Sequence, residues 1–470
     1  MSKGFNITAG TAVGEMIDEK ALLIGLDLGT SAIKGVLVDA RGRVLAETSA
    51  PTTLRYPYDG WVEVDPDEHY RTVCSVVREL AVRAPGPVTA LAMAAASGNT
   101  LLTMADGTPL TPIINWMDHR AAHGPLPALA GLTVAEVTQI TGWPCLTSFP
   151  LAHLAWLHAH QPDRYQAAGH YAMDTDWLLH RLTGQWRMDH STATTFHLQE
   201  QTSGTYYAPF LQRLDIPVEK LSPLVDSGVS IGPLTAAAAR DTGLSPHTVV
   251  VTGCFDHPAA ARAMGVLAPG ALLLSCGTSW VGLTPGMDRQ ALLDAQLLCD
   301  PFRATRGGPW AGIFSVPYIG RTIDWYIDHL IAPGEDDPLR VFNEAAAEAP
   351  PGAGGLTIDL REPPHPIDAS RAHISRAVME GAAWLLNDKL QALEAHRLSF
   401  THAVMVGGPA NSPIWPSIVA EITGIAVTVG GRSAGAQGAA MLAGIGAGLY
   451  RDENDALTAW QEEPQHDGLC

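Results

Sequence analysis

Cysteine is scarce in this chain: Cys74, Cys145, Cys254, Cys276, Cys299 and Cys470 are the six in 470 residues. They form no C-x-x-C pair and no zinc spacing, so free thiols in a reducing compartment are the expectation. Positive charge is short too, with 29 Lys and Arg against 48 Asp and Glu and a net charge of −19. So acidic a surface repels nucleic acid and anionic membranes, and both are set aside as partners. No apolar run approaches the ~20 residues that span a bilayer. Residues 1–20 lack a signal-peptide core and carry Glu15, Asp18 and Glu19. They read as a mobile N-terminal extension, and the protein is expected to be soluble and cytoplasmic. The histidines form no metal constellation. A G-x-x-x-x-G-K-[ST] motif is also missing, which rules out a Walker-type phosphate loop.

What is present is ample material for a core: 46% of residues are hydrophobic and only 16% charged. The length suggests two domains. One short phrase occurs in both halves. Leu22 to Leu26 leads into Asp27-Leu28-Gly29-Thr30-Ser31, with Lys34 on the return, and Ala271 to Leu274 leads into Ser275-Cys276-Gly277-Thr278-Ser279. Each reads as a β-hairpin tipped by Gly and small hydroxyls. Alone, either tip could be a plain tight turn. Together they describe a duplicated cradle, in which backbone N–H groups approach a polyphosphate from two sides. Phosphoryl transfer is the chemistry such a cleft serves.

Around the hairpins, strands and helices alternate in both halves, which gives two similar α/β domains about a cleft with a boundary near 255–265. Val36-Leu37-Val38 reads as a third strand, before a turn at Asp39 to Gly42. Asp65-Pro66 opens a helix with the apolar stripe Tyr70, Val73, Val77, Leu80. The segment from Leu132 to Gly184 reads as mostly helical, with Trp156 and Trp177 in the core. Asp27, at the end of a buried strand, either caps its turn or holds Mg²⁺. Lys34 either faces solvent or reaches a transferring phosphate. Asp256 follows the strand Thr248 to Val251 and precedes a helix, at the strand end where α/β proteins place ligands. A helix cap and a general base are both open to it, and the two can coexist. For a polyhydroxylated acceptor the candidates are Ser97-Gly98-Asn99 and the run through Trp116, Asp118 and Arg120; Asp118 with Arg120 could equally be only an ion pair.

In this order and spacing, these segments resemble the FGGY family of carbohydrate kinases, within the sugar kinase, actin and Hsp70 superfamily. The resemblance spans residues 22 to 448. It rests on Asp27-x-Gly29-Thr30-Ser31 with Lys34, Trp61-x-Glu63-x-Asp65-Pro66, Trp116-x-Asp118-x-Arg120, and Leu182-Thr183-Gly184 with Asp189-x-Ser191-x-Ala193. Gly253 to Asp256, Gly277-Thr278-Ser279 and Gly407-Gly408 complete it. It implies two RNase H-like (actin-like ATPase) domains flanking a central nucleotide and sugar cleft. These are residues 21–257 and 258–450, followed by a C-terminal tail at 451–470. It also implies ATP and Mg²⁺, with Asp256 as catalytic base, Asp27 at the magnesium and Thr30 and Thr278 in the phosphate hairpins. Gly407, Gly408, Ala410 and Asn411 would pack on adenosine, and a homodimer is the family-based expectation.

The chain also departs from that pattern. Ala96-Ser97-Gly98 stands where xylulokinase-like members carry Met-His-Gly. His257, a further candidate for the acceptor side, replaces an Asn, and His153 replaces a Lys. The Arg-Glu pair of glycerol kinases is missing, and Gly355 to Pro366 is a shortened segment. The expected activity is ATP-dependent phosphorylation of a primary hydroxyl on a small sugar, foremost a pentulose such as D-xylulose. A polyol resembling erythritol, another ketose or a sugar acid are the rival acceptors. A non-catalytic sugar sensor and an actin- or Hsp70-like nucleotide switch are the rivals outside that chemistry.

Overall fold

The computed structural model describes residues 19–96, 98–144, 147–277, 279–286, 288–302, 309–316 and 319–461. Residues 1–18 of the extension expected at 1–20, Ser97, Cys145, Thr278 and the tail beyond 461 lie outside the described residues.

Two six-stranded sheets carry the chain. The first comprises β1 (Leu22–Leu28), β2 (Ala32–Asp39), β3 (Val44–Pro51), β4 (Ala90–Ala95), β5 (Ser230–Pro233) and β6 (Val249–Phe255), in the order β5-β6-β4-β1-β2-β3. The second comprises β7 (Ala271–Cys276), β8 (Trp280–Gly286), β9 (Leu298–Asp300), β10 (Trp310–Val316), β11 (His402–Gly407) and β12 (Ala426–Val429), in the order β9-β10-β8-β7-β11-β12. In each, an antiparallel meander (β1-β2-β3, β7-β8-β10) is followed by two parallel strands. The duplication legible at the hairpins therefore extends to the whole sheet, and both hairpins form as expected. One reading is corrected: Val36 to Val38 is the continuation of β2, because the hairpin register runs unbroken from Leu28↔Ile33 to Leu22↔Asp39.

Helix α1 (Pro66–Arg83) starts where expected, since the Asp65 carboxylate accepts the Glu68 N–H at 2.9 Å and Pro66 needs no donor partner there. Its stripe Tyr70, Val73, Val77 and Leu80 is buried against the first sheet. Trp156 is buried as expected, and so is Trp177 on α2 (Asp174–Thr183). Helix α3 (Asp256–Ala263) leaves β6 directly. The second sheet packs on the long helix Arg371–Glu394.

The last part of the chain departs from the simple two-halves plan. Helix α4 (Ala434–Gly446) packs on the first sheet, with Ala436, Ala439, Ala440 and Ala443 against Leu23, Val36, Ala92 and Val251. The approach is close enough to demand glycine: a Cβ on Gly25 would stand 1.9 Å from the Ala436 carbonyl oxygen. Residues 451–470, expected as a tail, include α5 (Glu453–Gln461), whose Glu453, Ala456 and Ala459 are buried. Among the described residues, no helix is long and apolar enough to cross a membrane.

Candidate active site

The carboxyl ends of β1 and β6 from the first sheet, and of β7 and β11 from the second, converge on a cleft of about 350 Å³. Asp27, Lys34, Asp256, His257, Ser275, Gly407, Ala410 and Asn411 all reach it. Asp27 and Lys34 are cross-strand partners in the first hairpin, so their side chains share one face. Burial, together with the charge of Asp256, pushes the Asp27 carboxyl up to about 7, and the Lys34 ammonium opposes that shift. Asp27, Asp256 and the Lys34 ammonium are thereby held in one cleft, with Glu47 also on its lining. Asp256 is the first residue of α3, and its carboxylate accepts the His257 N–H at 2.6 Å.

The site suits a magnesium ion. The Asp27 carboxylate offers hard oxygens, and Gly435 leaves it room, since a Cβ there would sit 3.0 Å from Asp27 Oδ2. Among the described residues no group of three or more His, Cys, Asp or Glu side chains could hold a metal. Mg²⁺ held there would take water and phosphate oxygens as its other ligands.

At the first hairpin tip, Thr52 binds both carbonyls, its N–H to Ser31 O at 3.0 Å and its Oγ1 to Gly29 O at 3.3 Å. The second tip closes through the Gly277 N–H to Ser279 O at 3.1 Å. Gly407 has φ 97°, and a Cβ on it would meet the Cys276 carbonyl at 2.2 Å. No other residue lets β11 turn so tightly against β7. Asn411 Nδ2 donates to Gly407 O at 3.2 Å and fixes the loop that begins with Gly408.

Sequence reasoning missed the wall formed by Gly430, Gly431, Arg432, Ser433, Ala434 and Gly435, together with Glu47. This wall is the glycine-rich entry to α4, so a helix N-terminus faces the cleft, where its free N–H groups favour an anion. The Gly430-Gly431 pair ahead of a small-residue helix was the available signal.

On the acceptor side the structure joins several candidates. Trp116 Nε1 donates to Thr30 Oγ1 at 2.8 Å, tying this side to the first hairpin. The Trp116 N–H donates to Asn99 Oδ1 at 3.1 Å, and Asn99 Nδ2 donates to Asp174 Oδ2 at 2.7 Å. Gly98 is held by its N–H to Thr195 Oγ1 and packs against Phe149. Phe149 belongs to an aromatic group with Trp143, His197 and Phe255, which reaches the residue just before Asp256.

Asp118 and Arg120 are arranged differently from the expectation that they contact substrate. Asp118 is fully buried, taking the Val62 N–H at 2.6 Å and the Arg120 guanidinium on both oxygens. Arg120 also binds Glu63 at 2.7 Å and lies 3.7 Å over the Trp61 ring. These partners are all internal, and they tie the pair to the Trp61 segment. His153 shares one hydrogen bond with Thr100 Oγ1, and burial drives its pKa down to about 4, so it is neutral.

Comparison with known proteins agrees with this geometry. The profile of the FGGY family of carbohydrate kinases, N-terminal domain, matches residues 22–263, and that of the C-terminal domain matches residues 351–447. The autoinducer-2 kinase of Yersinia enterocolitica is 28% identical over 94% of this chain and 90% of its own length. Among solved structures, gluconate kinase from Lactobacillus acidophilus superposes with a TM-score of 0.83 at 22% identity, covering 93% of this chain and 92% of that one. Xylulose kinase from Rhodospirillum rubrum superposes with a TM-score of 0.78 at 26% identity, covering 91% and 90%.

Proposed function

The chain belongs to the FGGY family of carbohydrate kinases, and on that premise we propose that it phosphorylates a primary hydroxyl of a five-carbon ketose such as D-xylulose. The family transfers a phosphoryl group from ATP, with Mg²⁺, to an alcohol on a small sugar. The observation that carries the reading is the meeting of Asp256, Asp27 and Lys34 in one cleft with the Gly407 to Asn411 loop opposite.

In this reading the Asp256 carboxylate orients the acceptor hydroxyl and takes its proton as the oxygen attacks the γ-phosphorus. The bond from phosphorus to the bridging oxygen breaks, and ADP leaves. Lys34 and the backbone N–H groups of Gly29, Thr30, Ser31 and Ser279 offset charge on the transferring group. Gly407, Gly408, Ala410 and Asn411 hold the adenosine. Trp116, Asn99, Gly98 and His257 border the acceptor. Asp27 would hold Mg²⁺, which neutralises phosphate charge when bound. Closure of the two halves excludes water as a competing acceptor.

The similarity to autoinducer-2 kinases over nearly the whole chain supports a second reading, with autoinducer-2 as the acceptor. The test is ADP release from Mg-ATP across ketoses, polyols, sugar acids and autoinducer-2, run beside Asp256→Asn. One compound should stimulate release strongly, and the variant should lose that stimulation by roughly 10²–10⁴-fold while still binding ATP. Stimulation by autoinducer-2 alone replaces the ketose. No stimulation by any compound, or an Asp256→Asn variant as active as wild type, overturns the assignment.

A further inference from the structure

A second cavity, of about 450 Å³, lies away from the cleft on the outer side of the first domain. Helix α1 supplies Asp67, Tyr70, Arg71, Cys74 and Arg78 to it from one face, α2 supplies Arg181, and Asp241 closes the far side. Three guanidinium groups around one hollow are unusual in a chain of net charge −19. Asp67 and Asp241 share the hollow, which leaves it one positive charge in excess. Arg71 makes no hydrogen bond or ion pair among the described residues, although its charge is felt at Asp65. Arg78 donates to the backbone carbonyl of Asp241, a partner with no net charge. Arg181 lies 4.2 Å over the Tyr70 ring, and its one carboxylate is Asp67 at 3.4 Å, on a side chain that is 63% exposed. Asp241 is occupied in part by the Tyr70 hydroxyl, which donates to its Oδ2 at 3.0 Å. The volume is that of a small-metabolite pocket, and arginine forks match the oxygens of a phosphate monoester.

We propose that this cavity binds a phosphorylated small molecule, with Arg71, Arg78 and Arg181 holding the phosphate, at a site separate from the catalytic cleft. The same two helices carry the acceptor-side network on their other faces. His69 of α1 lies 3.7 Å from Asp174 of α2, and Asp174 binds Asn99. Occupancy of the cavity therefore bears on acceptor binding, and the site changes the acceptor KM when filled. This second step rests on the kinase reading; the binding step does not.

The test is calorimetric titration with ribose 5-phosphate, ribose and inorganic phosphate, each with the cleft preloaded with Mg-ADP. Saturable binding of ribose 5-phosphate, weaker binding of phosphate and none of ribose is the expected result. Arg71→Gln should weaken it at least about tenfold, as should Arg181→Gln, while turnover without the ligand stays at the wild-type level. Arg71 holds no other side chain in place, so its variant keeps the fold, and a matching melting temperature verifies that. No binding in the filled enzyme, or binding that Arg71→Gln and Arg181→Gln leave unchanged, overturns the site. Binding that leaves the acceptor KM unmoved overturns only the regulatory step.

Discussion

Truncation of Glu453 tests how the helix that begins with Asp256 is held. Arg262 sits on that helix, fully buried, and its Nε donates to Glu453 Oε1 at 3.0 Å from a carboxylate that is itself buried. The guanidinium also donates to Pro258 O at 3.2 Å and lies 4.7 Å over the Phe302 ring. Asp300 attracts it from the second sheet, so one cation joins α3, α5 and the far domain. Removing one member of a buried ion pair costs about 3–5 kcal/mol. The attraction of Asp300 remains after Glu453→Ala, which places the loss near the lower value, about 3 kcal/mol. For domains of this size that corresponds to a fall in melting temperature of roughly 6–12 °C. Glu453→Gln keeps an acceptor and should fall less. Replacing both partners with apolar residues, Arg262→Met with Glu453→Leu, should restore most of the loss, since a buried pair is worth little more than a packed apolar one. Differential scanning fluorimetry reads all three. A Glu453→Ala variant that melts with the wild type, or a double variant no better than the single, refutes this account of the pair. Because Asp256 rides on the same helix, kcat should drop in Glu453→Ala while the KM for ATP holds.

Three further perturbations probe the cleft and its supports. The Asp27 carboxyl has a folded pKa raised from 3.8 to about 7, so its proton stabilises the metal-free fold at low pH, and that contribution is lost as pH rises through about 7. Asp27→Asn should therefore stabilise the metal-free protein at pH 8, by at most about 4 kcal/mol, with the gain in melting temperature vanishing by about pH 4; an equal gain at both pH values sinks the reasoning. Trp116→Phe removes the 2.8 Å bond to Thr30 Oγ1 and should raise the acceptor KM about fivefold with little change for ATP; steady-state kinetics showing the reverse pattern would disprove the link. Gly25→Ala would set a Cβ 1.9 Å from the Ala436 carbonyl, so α4 must shift, at a cost of about 1–3 kcal/mol; an unchanged denaturation midpoint would show that α4 is not seated as described.

What could be read from the chain beforehand was local in origin. The hairpins, Asp27 and Asp256 announce themselves because few roles suit a buried strand that ends in glycine or aspartate, and the repeat supplies its own control. The Asp65-Pro66 start of α1 is legible for the same reason. Residue type alone could not separate Asp118 and Arg120 from a substrate-binding pair, because the groups that grip a sugar also grip each other. The internal partners at Val62, Glu63 and Trp61 are visible only in the fold. The placement of α4 was hidden for a different reason. Its alanines and glycines suit a solvent-facing helix as well as a buried one, and its partner, Gly25, lies at the other end of the chain. The same holds for α5, whose Glu453 reads as one more surface acid until Arg262 is found beside it. These three elements converge on one place: α4 walls the cleft, α5 anchors α3, and α3 carries Asp256. The geometry of the cleft is thus set by long-range contacts from the segment that looked least informative, which is why the cleft residues could be read before the architecture that aligns them.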